Sequence, residues 1–329
     1  MKRGLTLLIA CAGLLGAMLW WHGHQPQTVQ RSRMVMGTLV EISATGSNGL
    51  ALHRALEEAF AEMEHLEQLF SPHIVTSEVA RLTDVTALEV SSETREVVKI
   101  GLDVARRSRG AFDMTLGKLV RLWDIGGLQP TVPDDGAINR AIVGIGPEAL
   151  RVRGAEIVKA QPELQAEFGG IAKGYAIEAA AKVLRAAELD YAAVNAGGDI
   201  ALVGSPPQRD WRIGIRHPRD AQQLLATLVI PAGAVVTSGD YERFFEVEGR
   251  RYHHLFDPRT GYPARGCQSV TVWGADATYA DALATAAFVM GPEQGLSFLE
   301  AWPGFEGILV TAEGEVLFTR GMKEQLEWP

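Results

Sequence analysis

The sequence predicts an α+β fold, rich in antiparallel sheet and flanked by helices. Three observations carry this. From Ile200 to Phe256, strand-like segments follow one another without a helix between them. The N-terminal half holds long segments with apolar residues at helical spacing. After residue 33 no polar linker divides the chain, so 34–329 reads as one unit. A doubly wound parallel sheet would need strands and helices to alternate, and here they do not.

Residues 1–24 differ from the rest. Lys2 and Arg3 precede an uncharged run from Leu5 to Trp21. About 17 residues is at the short end for a membrane span. The positive end stays in the cytoplasm and directs the following chain outward. A cleaved signal peptide and a retained anchor both fit, and the retained anchor is the expectation. Leu8-Ile9-Ala10-Cys11 is similar to a bacterial lipoprotein cleavage box, but the chain stays apolar from there to Trp21, so lipidation ranks second. Residues 25–33 are polar and read as a linker. With Cys11 in the anchor, Cys267 stands alone and no disulfide is expected. A hydrophobic content of 47% is ample for a core, and a net charge of -9 argues against a nucleic-acid partner.

Met34 to Ser43 is rich in β-formers and predicts a strand interrupted at Gly37. A helix follows from Asn48 to Phe70, with Leu52, Leu56, Ala59, Met63, Leu66 and Phe70 on one face. His53 and His65 fall within it and read as surface residues. Ser71 to Leu82 begins as a loop and ends in a helical turn. A second helix opens at Ser91-Ser92, buries Val97, Val98, Leu102 and Ala105, and stops at Gly110. Leu128 to Gly136 reads as a polar loop, and two or three short strands are expected between Ile142 and Val158. Strands are then expected at 200–203, 211–216, 224–230, 235–239 and 269–273. A hairpin turns at Glu248-Gly249. Thr278 to Met290 is a helix of small residues, a further helix follows Pro292, and Gly307 to Phe318 reads as a hairpin.

The chemistry concentrates in a few places. Gly169-Gly170 leads through Lys173 into a helix. Glycines admit close backbone approach, and a helix start offers free N–H groups that suit phosphate. A turn that merely requires glycine reads equally well. In the helix 278–290, Asp281 and Thr285 at i,i+4 share a face and suit a hard cation such as Mg2+. The alternative is an acid favoured by the helix dipole and a threonine in a small-residue interface. Ala111-Phe112-Asp113 places an aromatic beside an acid in a turn, which suits a ligand ring or ordinary packing. His253-His254 near Asp257 lacks a third soft ligand for zinc. One histidine there could serve as a general base or lie exposed in the hairpin. No G-x-G-x-x-G, G-x-x-x-x-G-K-[ST] or G-x-S-x-G occurs, which disfavours a dinucleotide fold, a P-loop and a nucleophile elbow.

Taken together, these segments resemble the ApbE flavin transferases, the FAD:protein FMN transferases. The resemblance runs from Met34 to about Glu300. It rests on Met36-Gly37-Thr38, Ser77-Glu78, Gly110 to Asp113, Gly169 to Gly174, Asn195 to Asp199, Thr237 to Gly239, His254 to Gly261 and Ala280 to Thr285. It implies an ApbE-like mixed fold and an enzyme that moves the FMN half of FAD onto a Thr or Ser hydroxyl of an acceptor protein, releasing AMP. It implies Mg2+ as cofactor and FAD as substrate. The implied acceptor is a subunit of a membrane redox complex, and the implied location is the bacterial inner membrane, with the catalytic domain in the periplasm.

By position, the resemblance assigns FAD contacts to Met36, Ala111, Phe112, Asp113 and Lys173. It places Phe256 against the flavin. It gives Mg2+ to the Gly170 carbonyl, Asp281 and Thr285, and makes His254 the base that deprotonates the acceptor. Two positions depart from the family pattern. Glu167-Phe168 stands where Asp-Leu is usual, and His73 stands where tyrosine is common. Both bear on FAD binding, and His73 also bears on whether water competes as acceptor. Two other functions therefore remain in view: a Mg2+-dependent FAD diphosphatase yielding FMN and AMP, and an anchored flavin-binding protein without catalysis.

Overall fold

The computed structural model describes residues 25–187 and 189–329, so the expected anchor and Cys11 lie outside the described residues. Among the described residues, no helix is long and apolar enough to cross a membrane.

The frame is an eight-stranded antiparallel sheet. In spatial order its strands are β1 (Gln27–Val35), β2 (Thr38–Gly46), β6 (Tyr191–Ala196), β7 (Asp199–Val203), β10 (Gly233–Gly239), β13 (Cys267–Gly274), β14 (Phe305–Thr311) and β15 (Val316–Phe318). Side chains alternate between the two faces. Ala201, Val236 and Leu309 join the main core, while their neighbours Leu202, Val235 and Ile308 join a second core on the opposite face. That second face is covered by a three-stranded sheet of β16 (Leu326–Glu327), β9 (Asp220–Ile230) and β8 (Trp211–His217).

The first two strands correct the sequence reading. Met34 to Ser43 is not one interrupted strand, and the expected linker 25–33 holds most of β1. Met36 and Gly37, with φ of 54° and 71°, form the tight turn between β1 and β2. Strand β1 lies at the sheet edge and buries only Val29 and Val35. An edge strand with so little buried surface carries no alternating signature.

Helices cover the main-core face. Helix α1 (Gly49–Phe70) is capped by Asn48, whose Oδ1 accepts from Ala51 N at 3.2 Å. It buries the expected stripe of Leu52, Leu56, Ala59, Met63, Leu66 and Phe70. Helix α2 (Glu78–Asp84) and α3 (Ser92–Arg107) follow, with β3 (Ala87–Glu89) between them. Strand β3 joins β4 (Leu150–Arg153) and β5 (Glu156–Lys159) in a small sheet. Two seven-residue helices, α4 (Gly117–Trp123) and α5 (Asp135–Ala141), were not anticipated, and α5 begins inside the expected polar loop. Two turns are too few for a helical period to register.

Helix α6 (Ala172–Ala186) packs between α1 and the central helix α7 (Ala277–Met290), and α8 (Pro292–Glu300) closes the layer. Helix α7 is buried nearly all round, which its alanines permit. Helices α6 and α7 interlock through reciprocal polar contacts. Gly174 N of α6 donates to Asp281 Oδ2 at 2.8 Å, and Ala277 N of α7 donates to Glu178 Oε2 at 3.1 Å.

A third, smaller core joins α4 and α5 to the hairpin of β11 (Phe244–Val247) and β12 (Arg250–His253). Trp123 stacks on Tyr252 with ring centroids 5.5 Å apart and donates to the Gly261 carbonyl at 2.8 Å. This cluster fixes the 254–261 turn against the segment that follows Asp113.

Candidate active site

The site begins where β5 runs out toward α6. Glu167 N donates to the Met114 carbonyl at 2.8 Å, which ties the glycine loop to the Phe112 turn. Glu167 Oε1 accepts from Gly169 N at 2.7 Å, so the side chain braces its own loop. Ile171, at the N-cap of α6, gives no side-chain cap, and the helix start depends on its surroundings for hydrogen-bond partners. Gly170 lies against Phe112 and Thr285. A Cβ there would stand 3.2 Å from the Phe112 ring and 3.4 Å from Thr285 Oγ1.

Asp281 is the single charged side chain of α7 and is 5% exposed. Burial, and next the Asp199 carboxylate, push its acid up to about 7, against the pull of Lys173. Thr285, one turn on, shares a 3.2 Å hydrogen bond with Ser238 Oγ at the end of β10. A buried carboxylate, a hydroxyl and the neighbouring Gly170 backbone form an oxygen-only donor set, the chemistry a hard divalent cation takes. Among the described residues no group of three or more His, Cys, Asp or Glu side chains is gathered as for a metal. A set built from one carboxylate plus neutral oxygens would not form such a group.

Lys173 Nζ pairs with Asp199 Oδ2, the lysine side chain 33% exposed and the aspartate 4%. Burial pulls the pKa of the ammonium down, but Asp199 and Asp281 outweigh it and raise that pKa, so the lysine stays charged. Asp199 Oδ1 accepts from Thr237 N at 2.9 Å. The turn before Asp199 uses Gly197 and Gly198, both at positive φ, and Gly198 N donates to Asn195 Oδ1 at 2.9 Å. The glycine turn is legible in the sequence, but nothing local gives Asp199 a task. Its partners lie on another helix and another strand, and no local pattern joins them.

The two histidines separate cleanly. His253 is buried, with Nε2 at 2.8 Å from the Ala264 carbonyl and Nδ1 accepting from Leu255 N at 3.3 Å. Both its nitrogens are occupied within the fold. His254 has Nδ1 at 3.3 Å from the Arg243 carbonyl. That contact favours the Nδ1–H tautomer and leaves the Nε2 lone pair available. Burial first, then Arg243 and the nearby Lys173, push His254 down to about 3, so its ring is neutral.

Phe112 is buried, and its N–H donates to Ser108 Oγ at 3.1 Å, with Ala111 buried beside it. Asp113 Oδ1 accepts from Thr115 N at 2.7 Å and Thr115 Oγ1 at 2.5 Å. Its Oδ2 is buried and, among the described residues, without a hydrogen-bond partner. Burial pushes this acid up to about 6 despite those bonds. Met36 N donates to Glu67 Oε1 at 2.9 Å, which holds the β1–β2 turn over α1. His73 is exposed, its backbone N–H bound to Ser71 Oγ at 3.3 Å. Phe256 is buried in the third core with its ring centroid 5.9 Å from that of Trp123, so it packs inward.

Gly170, Lys173, Asp281, Thr285 and His254 thus share one electrostatic neighbourhood. The same fold recurs in known proteins. The sequence profile of the ApbE family matches residues 36–309. The chain is 34% identical over 318 residues to a Treponema pallidum FAD:protein FMN transferase, covering 90% of this chain and 88% of that protein. It is 36% identical over 307 residues to a Vibrio cholerae FAD:protein FMN transferase, covering 89% and 90%. Among solved structures, the ApbE protein of Thermotoga maritima superposes with a TM-score of 0.84 at 32% identity, covering 91% of this chain and 99% of that one. The flavin transferase ApbE from Vibrio cholerae gives 0.81 at 31% identity, covering 92% and 100%.

Proposed function

The chain belongs to the ApbE family, and we propose from that premise that it transfers FMN from FAD to a Thr or Ser hydroxyl of an acceptor protein, with release of AMP. The observation that carries this reading is Asp281. A lone carboxylate in an otherwise uncharged, buried helix is costly unless it serves a cation or a reaction.

In this reading Asp281, Thr285 and the Gly170 carbonyl hold Mg2+. The ion would offset the negative charge of the FAD pyrophosphate. The N-terminus of α6 and the Lys173 ammonium face the same phosphates, where fixed positive charge stabilises the transition state. Neutral His254 takes the proton of the acceptor hydroxyl at Nε2 as that oxygen attacks the FMN phosphorus. A new P–O bond forms to the acceptor, and the bond from that phosphorus to the bridging oxygen breaks. The bridging oxygen leaves with AMP. Phosphate charge beside His254 would raise its basicity for that step. The buried Phe112 turn and Asp113 line the approach to the glycine loop and are assigned to FAD.

We place the enzyme at the inner membrane, held by residues 1–24, with its domain in the periplasm and a subunit of a membrane redox complex as acceptor. The test is incubation of the protein with FAD, Mg2+ and a candidate acceptor domain, following acceptor mass and AMP. A mass gain equal to FMN, abolished by EDTA and by His254→Ala, is expected. AMP without acceptor labelling would favour FAD hydrolysis, a reading that the exposed His73 in place of tyrosine keeps specific. Intact FAD in every arm would refute both.

A further inference from the structure

Lys173 faces two buried carboxylates, Asp199 and Asp281, and both act on its charge. The pair it makes is with Asp199. We propose that Asp199 is a positioning residue that holds the Lys173 ammonium away from Asp281, so that Asp281 is left to bind a divalent cation. The inference rests on the cation reading of Asp281 above.

Asp199 and Asp281 compete for the Lys173 ammonium. Asp281 accepts a single backbone N–H from Gly174, the residue next to Lys173 in the first turn of α6. Lys173, next to Gly174 in the same helix start, is a cation that acts on that carboxylate. Left alone, it would neutralise Asp281 and exclude a metal by like-charge repulsion. Asp199 removes it. Its own orientation is fixed at both ends. It opens β7 directly after the Gly197-Gly198 turn, and Oδ1 is held by Thr237 N on the neighbouring strand β10. That leaves Oδ2 turned to Lys173. The carboxylate therefore sits on the rigid sheet and the lysine on the helix, so the sheet sets where the ammonium stands. With both acids ionised, the two carboxylates and one ammonium carry a net charge of -1 to meet a dication.

The structural alternative is that Asp199 is itself a metal ligand, and the two ideas separate by a double substitution. The probe is Mn2+ alone, titrated into the full chain and read as free Mn2+ by electron paramagnetic resonance. Asp199→Asn is expected to weaken Mn2+ binding about tenfold, a usual size for coupling between two sites, because Lys173 turns to Asp281. Asp199→Asn combined with Lys173→Met should bind Mn2+ as tightly as Lys173→Met alone, because the competitor is gone. Asp199→Glu should restore binding by restoring the pair. If the double variant stays as weak as Asp199→Asn, Asp199 is a ligand and the proposal fails. Unchanged binding in Asp199→Asn also overturns it. Asp281→Ala separates this failure from that of the parent reading, since wild-type Mn2+ binding there would remove the cation from Asp281 altogether. Should Asp199→Asn not fold, Asp199→Ser and the Lys173→Met background give the same comparison.

Discussion

Gly174→Ala isolates the contact on which the site is assembled. An alanine Cβ at this position would stand 2.3 Å from the Ala277 carbonyl oxygen and 2.6 Å from Asp281 Cβ. Both belong to α7, and one is backbone, so neither can swing aside. Non-bonded heavy atoms want about 3.5 Å, so α6 and α7 must part by about 1 Å. Helix propensity alone favours the change by about 1 kcal/mol. Overpacking costs about 1–3 kcal/mol. Stretching the Gly174 N–H to Asp281 carboxylate bond costs up to about 1.5–3 kcal/mol more. The balance is a net loss of about 1.5–5 kcal/mol. A displacement of about 1 Å at the reacting groups also lowers turnover by about 100-fold. Gly169→Ala is the control within the same loop. Its Cβ would meet only Glu167 Oε1, the end of a flexible side chain, at 2.8 Å. Stability by urea denaturation should therefore be badly damaged in Gly174→Ala and nearly normal in Gly169→Ala, and FMN transfer should fall in Gly174→Ala. Equal loss of stability in the two variants, or a Gly174→Ala protein with the wild-type midpoint and rate, would refute the packing argument.

Two further substitutions probe the loop before α6 and the turn before α4. Lys159 is almost fully buried, and its ammonium donates to the carbonyls of Thr83, Pro162 and Leu164 at 3.0, 2.7 and 2.9 Å. Lys159→Met keeps the shape but strands three carbonyls, for a loss of about 2–4 kcal/mol; a denaturation midpoint equal to wild type would show that they find other partners. Asp113, raised by burial to about 6, ionises in the unfolded chain before it does in the fold. Its protonated form therefore supports the fold below about 4, and that support is lost as pH rises through about 6. Asp113→Asn should flatten the stability curve across that window when FAD is absent, and an unchanged curve would mean that another group titrates there.

The sequence carried what local chemistry encodes. The α1 stripe repeats at helical spacing over 22 residues and is buried as the spacing requires. Glycine turns, the i,i+4 pair of Asp281 and Thr285, and the hairpin at Glu248-Gly249 are likewise short-range patterns. What stayed hidden was either too short or too polar to show a period. Strand β1 exposes most of its side chains, and α4 and α5 have seven residues each. The third core was also out of reach, since Trp123 and Gly261 are 138 residues apart.

The two adjacent histidines show where the boundary lies. Neighbours in a strand point to opposite faces, so one of the pair had to face inward, but nothing local says which. The end of β12 at His253 decides it. His253 turns into the core and gives both ring nitrogens to backbone, while His254, the first residue of the turn, keeps one free. Asp199 poses the same problem over a longer reach. It sits beside a recognisable glycine turn, yet its meaning lies in Thr237, 38 residues on, and in Lys173 on a helix packed over the sheet. A motif therefore marks where backbone must bend, and the fold decides which charge each bend delivers to the cluster.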